Sequence, residues 1–228
     1  MTAKSRSKKI ILACLACILA TVFLAMAGCS APQEAAQLPD PEPQTWEQTM
    51  EEAGSAAGYG WKLPQTVDTF YSVEDAVKDA EAIVYGRIVG EPSAWEETED
   101  GSYLPCDLSS AQADCFQYSV EVLADGLGHF SPGEKISVSV RTSHLMETSH
   151  PAAGTEIIVP LLSWEEDGKL GMLMGDVPTC FLVTDSGHIL SIGNQGYLFS
   201  GLGANALWEE MLRCHEDPSQ EMVGNPLL

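Results

Sequence analysis

Short runs between residues 82 and 193 alternate apolar and polar side chains with period two, and that period commits most of the chain to β-sheet. Phe116, Tyr118, Val120 and Val122 alternate with Gln117, Ser119 and Glu121; Ile136, Val138 and Val140 alternate with Ser137, Ser139 and Arg141. Successive side chains of a strand point to opposite faces, so each run packs one face and wets the other. Strands are expected over 82–90, 115–123, 135–141, 155–163, 170–174, 179–184 and 188–193, with turns at Ser131-Pro132-Gly133, Glu166-Asp167-Gly168 and Asp185-Ser186-Gly187. Ile157-Ile158-Val159-Pro160-Leu161-Leu162 is apolar on both faces, which points to a central strand. Pro160 lacks a ladder donor, which points to an edge or a bulge, and the two signs conflict.

Helices are expected at three places. Thr45 and Gln48 form a capping box ahead of Trp46, Met50 and Ala53, which fall on one face. Ser72 and Asp75 open a second helix whose Val73, Ala76, Val77 and Ala80 share a face. Asn205 is placed to cap a third, with Leu207, Trp208, Met211 and Leu212 on one side, packing over an open end of the sheet. The fold class is mainly β (α+β): a small antiparallel barrel or sandwich with a short N-terminal and a C-terminal helix, spanning 67–217 as one domain, with 218–228 as a tail. Residues 29–66, with Pro32, Pro39, Pro41 and Pro43 and few large apolar groups, read as a flexible tether.

Ahead of that tether, Lys4, Arg6, Lys8 and Lys9 precede Ile10 to Gly28, a run without charge. A basic head before an apolar stretch is a secretory signal, over 1–28; an uncleaved anchor helix is the competing reading. Leu24-Ala25-Met26-Ala27-Gly28-Cys29 resembles the lipobox of bacterial lipoproteins, with small residues before a cysteine. The resemblance implies that Cys29 receives a thioether-linked diacylglycerol and becomes the N-terminus. Each buried methylene then adds about 0.8 kcal/mol of membrane affinity. Cys14-Leu15-Ala16-Cys17 has redox spacing but lies inside the export segment, where no strand and helix surround it.

Eleven basic residues against 33 acidic ones give a net charge of −22, which excludes nucleic-acid binding by phosphate neutralisation. Cleavage after Gly28 removes four basic residues and no acid, leaving seven against 33, a net −26. Such a body repels polyanions and draws in cations and basic partners.

The order of segments resembles an OB-like extracytoplasmic module of bacterial lipoproteins, in which a short helix precedes a strand of the type A-D/E-A-I-V-x-G-x-V. The matching pieces are Asp79 to Ile88, then Tyr118 to Gly126, then Gly133 to Val138, within 72–165; Ala124 stands where that pattern has Lys. The resemblance implies an OB-like barrel and no reaction.

Outside the cytoplasm Cys106, Cys115, Cys180 and Cys214 are disulfide candidates with three possible connectivities. Cys106 and Cys115 bracket a short polar segment, which favours their pairing and leaves Cys180 with Cys214. His144, Glu147 and His150 could hold a zinc ion with an open position, although no H-E-x-x-H register supports it. Asp185-Ser186-Gly187-His188 holds the residue types of a serine hydrolase, but between two apolar strands those residues make a hairpin turn. His129, His188 and His215 have no evident partner. Glu96, Glu97, Glu99 and Asp100, flanked by Trp95 and Tyr103, form the densest acidic patch, in a long loop after the first strand. They lack the calcium-loop pattern, and an aromatic beside exposed acids suits a basic partner. The expectation is a membrane-anchored, extracytoplasmic, non-catalytic module that binds a ligand or partner without a cofactor; the alternative is a metal-dependent envelope enzyme or a zinc- or calcium-binding protein.

Overall fold

Consecutive apolar residues in β1 (Ala82–Ile88) are buried on both sides of the strand, because β1 lies between two layers of core. The computed structural model describes residues 37–57, 72–100, 103–108, 115–141, 151–166, 169–174, 180–191 and 196–227. Within them run α1 (Trp46–Ala57), α2 (Val73–Lys78), β1, β2 (Ser93–Glu97), β3 (Tyr103–Cys106), β4 (Cys115–Asp125), β5 (Lys135–Arg141), β6 (Glu156–Glu166), β7 (Lys169–Met174), β8 (Phe181–Val183), β9 (Ile189–Ser191), a 3-10 turn (Gly196–Phe199) and α3 (Ala204–Glu216). The mainly β class expected from the sequence is what the chain adopts.

The strands form one sheet in the order β3-β2-β4-β5-β7-β6-β8-β9, and β1 pairs with both β4 and β6. Every pairing is antiparallel except β5 with β7. Val84, Phe116, Val120, Val138, Ile157, Val159 and Leu182 belong to the core on one face, against which Met50 and Ala53 of α1 pack. Ile83, Tyr85, Ile158, Phe181 and Ile189 belong to the core on the other, covered by Val73 and Val77 of α2 and Leu207 and Met211 of α3.

Register explains two local oddities. Tyr85 pairs with Ala124 but Gly86 with Val122, so Leu123 is an extra residue and β4 bulges there. A Cβ on Gly86 would stand 2.4 Å from Val120 Cγ1 and 3.0 Å from the Glu121 carbonyl oxygen, so only glycine permits the approach. The conflict at Pro160 also resolves. The Ile88 amide donates to the Thr155 carbonyl at 2.9 Å. Counting along the ladder from that pair makes Pro160, opposite Ile83, a position that exchanges no hydrogen bond with β1. Its missing donor faces the other edge, between the last pair with β8 at Ile158 and the first with β7 at Leu161.

Both N-terminal capping boxes form. Gln48 N–H donates to Thr45 Oγ1 and Thr45 N–H to Gln48 Oε1, while Ser72 and Asp75 satisfy each other's backbone in the same way. The third cap differs: α3 starts from Gly203, and Asn205, inside the first turn, donates its amide to the Pro39 carbonyl at 2.8 Å. That helix lies on a sheet face, with Leu207, Trp208, Met211 and Cys214 buried.

Residues 37–57 are packed, where the sequence reads as flexible tether. Leu38 joins the core, the Gln44 amide donates to the Gly201 carbonyl at 3.0 Å, and Asn225 Nδ2 donates to the Gln44 carbonyl at 2.8 Å. A Cβ on Gly187 would meet Pro39, and on Gly203 the Pro41 carbonyl oxygen, so glycines line the bed of this strap. The tail past 218 is docked as well: Met222 and Asn225 are buried, and the Met222 amide donates to Glu74.

The cysteines are arranged differently from the expected pairings. Cys106 is level with Ala94 of β2, and β2 separates it from Cys115 on β4. Two strand spacings, about 9.6 Å, exceed the roughly 7 Å between Cα atoms that a bridge tolerates. Cys180 and Cys214 carry free thiols in the cores on opposite faces. Burial pushes the Cys180 thiol up to about 12, and burial raises Cys214 too. Both are therefore expected to resist a thiol reagent in the native chain and to react in denaturant, read by mass spectrometry of the labelled protein.

Candidate functional site

β2 and β3 form an antiparallel hairpin in the loop that the sequence left without structure. Charge and proline, here Glu96, Glu97 and Pro105, are how edge strands are protected. Ser93 to Trp95 pair with Gln117 to Cys115 of β4, and Glu96 and Glu97 pair, among the described residues, with Leu104 and Tyr103 of β3. Trp95, half-buried, donates its indole N–H to Ser93 Oγ at 3.0 Å, which fixes the ring. Leu104, opposite Glu96, is 52% exposed. At the tip Thr98 Oγ1 donates to Asp100 Oδ1 at 2.5 Å, and Glu99 is exposed. The structure thus brings all six residues of the expected partner site, Trp95, Glu96, Glu97, Glu99, Asp100 and Tyr103, onto one ribbon. It places acidic residues beside the exposed Leu104 at the end of the described sheet.

A second polar constellation centres on the β8–β9 hairpin. Asp185, Ser186 and Gly187 make the expected turn, with Gly187 at φ +87° and its amide donating to the Thr184 carbonyl at 2.8 Å. His188, which had no evident partner, is buried and doubly bonded: Nδ1 lies 2.6 Å from Ser186 Oγ, and Nε2 lies 3.0 Å from the Glu42 carbonyl oxygen. A carbonyl only accepts, so Nε2 carries the proton and Nδ1 accepts from the serine hydroxyl. Glu52 of α1 accepts from the Ser186 amide at 3.0 Å and from Gln44 Nε2 at 3.1 Å, and lies 3.8 Å from His188 Nδ1.

A serine beside a histidine is the start of a nucleophile, but the surrounding groups do not continue it. The amides of Ser186 and Gly187, nearest the hydroxyl, already donate to Glu52 and Thr184 and do not face an oxyanion. The constellation fastens the strap and α1 to the sheet. His215 likewise holds a structural bond, from Nδ1 to the Val77 carbonyl at 2.9 Å, tying α3 to α2.

Burial raises the Glu52 carboxyl, but hydrogen bonds from Ser186, Gln44 and Thr184 outweigh it and hold the group below the ordinary carboxylate range. A carboxylate with a depressed folded value adds stability above its unfolded value, about 4.3, and loses it as pH falls through the folded value. Glu52→Gln is accordingly expected to flatten the acid limb of the stability curve relative to the wild type. Urea titrations across that range check it, and equal limbs would rule out the latch as a source of acid sensitivity.

Glu156 at the start of β6 accepts from Tyr85 Oη and from Arg87 Nη2, the latter at 2.7 Å. Burial, then the bond and charge of Glu156, raise the Tyr85 phenol well above its usual range. Among the described residues no cluster of histidine, cysteine and carboxylate groups is placed to hold a metal ion. His144, Glu147 and His150 lie outside the described residues, as does Cys29. No described helix is long and apolar enough to cross a membrane. No family model matches the chain, and no curated protein or solved structure is significantly similar to it.

Proposed function

We propose that this chain is a lipid-anchored binding module of the cell envelope that engages a basic partner through its β2–β3 hairpin. The lipobox-like segment ending at Cys29 supports the anchor, with the acyl chains placing the domain at the outer face of a membrane. An OB-type barrel is the reading of the body that its pairings favour. β1 pairs with β4, β4 with β5, β5 with β7, β7 with β6, and β6 again with β1. Such a circuit of five strands is the plan of a small Greek-key barrel. The hairpin then extends the edge beside β4, and β8 and β9 extend the edge beside β6.

The observation that carries the reading is the β2–β3 hairpin, which gathers four acids and two aromatics at the β3 end of the described sheet in a chain of net charge −22. Acids steer a cationic partner inward, and Leu104 on the face of Glu96, with Trp95 on the opposite face, offers apolar contact once it arrives. Capture of a lysine-rich peptide by the full-length chain in detergent micelles tests this. Lysine substitutions at Glu96, Glu97, Glu99 and Asp100 together are expected to reduce capture by more than tenfold and Trp95→Ala by several-fold, with the wild-type signal falling as salt rises. Unchanged capture in both variants rejects the hairpin as the docking element. Intact mass of the membrane fraction tests the anchor: a chain starting at diacylglyceryl-Cys29 is expected, and an unprocessed, unacylated start overturns it.

A further inference from the structure

Away from the hairpin, a crevice of about 540 Å³ opens between α1, the turn leading into β6, and the β8–β9 hairpin. That volume falls within the roughly 300–1,000 Å³ of small-molecule sites. Its walls have two characters. Ala53, Leu182 and Leu190, all buried members of one core, make an apolar floor. Glu52, Glu156 and Asp185, from three separate elements, bring carboxylates to the lining, and no lysine, arginine or histidine is among the described residues that line it. Two of the carboxylates are fixed in advance, Glu52 by the Ser186 amide and Gln44, and Glu156 by Tyr85 and Arg87. Pre-set acceptors cost a ligand little ordering on binding.

We propose that this crevice binds a small organic cation, an alkylammonium whose charge lies among Glu52, Glu156 and Asp185 and whose methylenes lie on Ala53, Leu182 and Leu190. The described lining offers an anion no cationic side chain, Arg87 being already paired with Glu156. A bare metal ion gains nothing from the apolar floor and takes six to eight oxygens when it is calcium. An ammonium on a short hydrocarbon stem matches both surfaces together.

The test is calorimetric titration of the full-length chain in micelles with n-butylamine, against butyrate and butanol as stems with the wrong head. Saturable one-to-one binding of the amine alone is expected. Ala153→Phe, which places a ring in the crevice from an exposed lining position, is expected to weaken it at least about tenfold, and Asp185→Asn by several-fold. Glu216→Gln, at the far end of α3, is expected to leave it unchanged. If the amine does not saturate, or if Ala153→Phe binds it as the wild type does, attraction is only the general negative field and the site is rejected. The hairpin variants keep full amine binding if the crevice is the site, so this proposal and the docking of a basic partner fail separately.

Discussion

Gly201→Ala is expected to destabilise the domain by about 3–5 kcal/mol, the sum of backbone strain and a clash that has no soft partner. Gly201 has φ +89°, where a side chain is strained whatever the space. Its Cβ would fall 2.1 Å from the Gln44 carbonyl oxygen and 2.7 Å from Asn225 Nδ2. That carbonyl is fixed, because it accepts from Asn225 while the Gln44 amide donates to Gly201 itself. Relief therefore requires the strap to lift, carrying Leu38 out of the core and loosening the Glu42 carbonyl from His188. Gly154→Ala is the control, since Gly154 has φ +95° but nothing within 4 Å of an added Cβ. It is expected to cost about 1 kcal/mol, the backbone part alone. Urea denaturation of both variants gives the comparison, and equal costs would show that the strap contact does not demand glycine at 201.

What was legible in the sequence was local. Ser72 with Asp75 and Thr45 with Gln48 lie three residues apart, so each capping box is written in one short segment. The strands from Phe116 and from Ile136 show their period within seven residues, and both formed, with Phe116, Tyr118, Val120 and Val122 of the one and Ile136 and Val138 of the other in the core. The strap was not legible, because composition counts what a segment buries and not what receives it. Pro39, Pro41 and Gln44 find their bed in Gly187, Gly201, Gly203 and Asn225, far along the chain. Glu52 is in the same position: the spacing of Ser186 and His188 is plain to see, but the carboxylate that holds the turn comes from 134 residues away. The cysteine spacing misled for a related reason, since Cys106 and Cys115 are near in sequence while β2 runs between them. The six residues of the acidic patch were found from composition alone; that they stand on a hairpin needed the pairing of Glu96 with Leu104 and Glu97 with Tyr103.

Phe181→Ala is expected to cost about 3–5 kcal/mol, because its ring lies where the sheet and its helical cover meet. Phe181 is completely buried and meets Phe199 edge to face, with ring centroids 6.0 Å apart and planes at 88°. β8 has three residues, all buried, with Phe181 and Val183 in one core and Leu182 in the other. A strand that short contributes few ladder bonds, so its place beside β6 depends on those side chains. Removing the ring leaves a cavity that β8 cannot close by shifting, since Leu182 on the opposite face would then leave its own core. Phe199→Ala removes the other ring at similar cost, and the double variant is expected to cost less than the two losses added, by about 0.5–1.5 kcal/mol for the edge-to-face contact. The cycle distinguishes a ring pair from two rings that merely share a core: a double variant equal to the sum would mean that area alone holds β8 down. The same variants bear on the crevice, because Leu182 and the Thr184 turn form part of its wall. If β8 is anchored through Phe181, Phe181→Ala is expected to weaken n-butylamine binding along with stability, whereas Phe199→Ala, in the same core but on the 3-10 turn rather than on β8, is expected to act through stability and leave binding by the folded fraction intact.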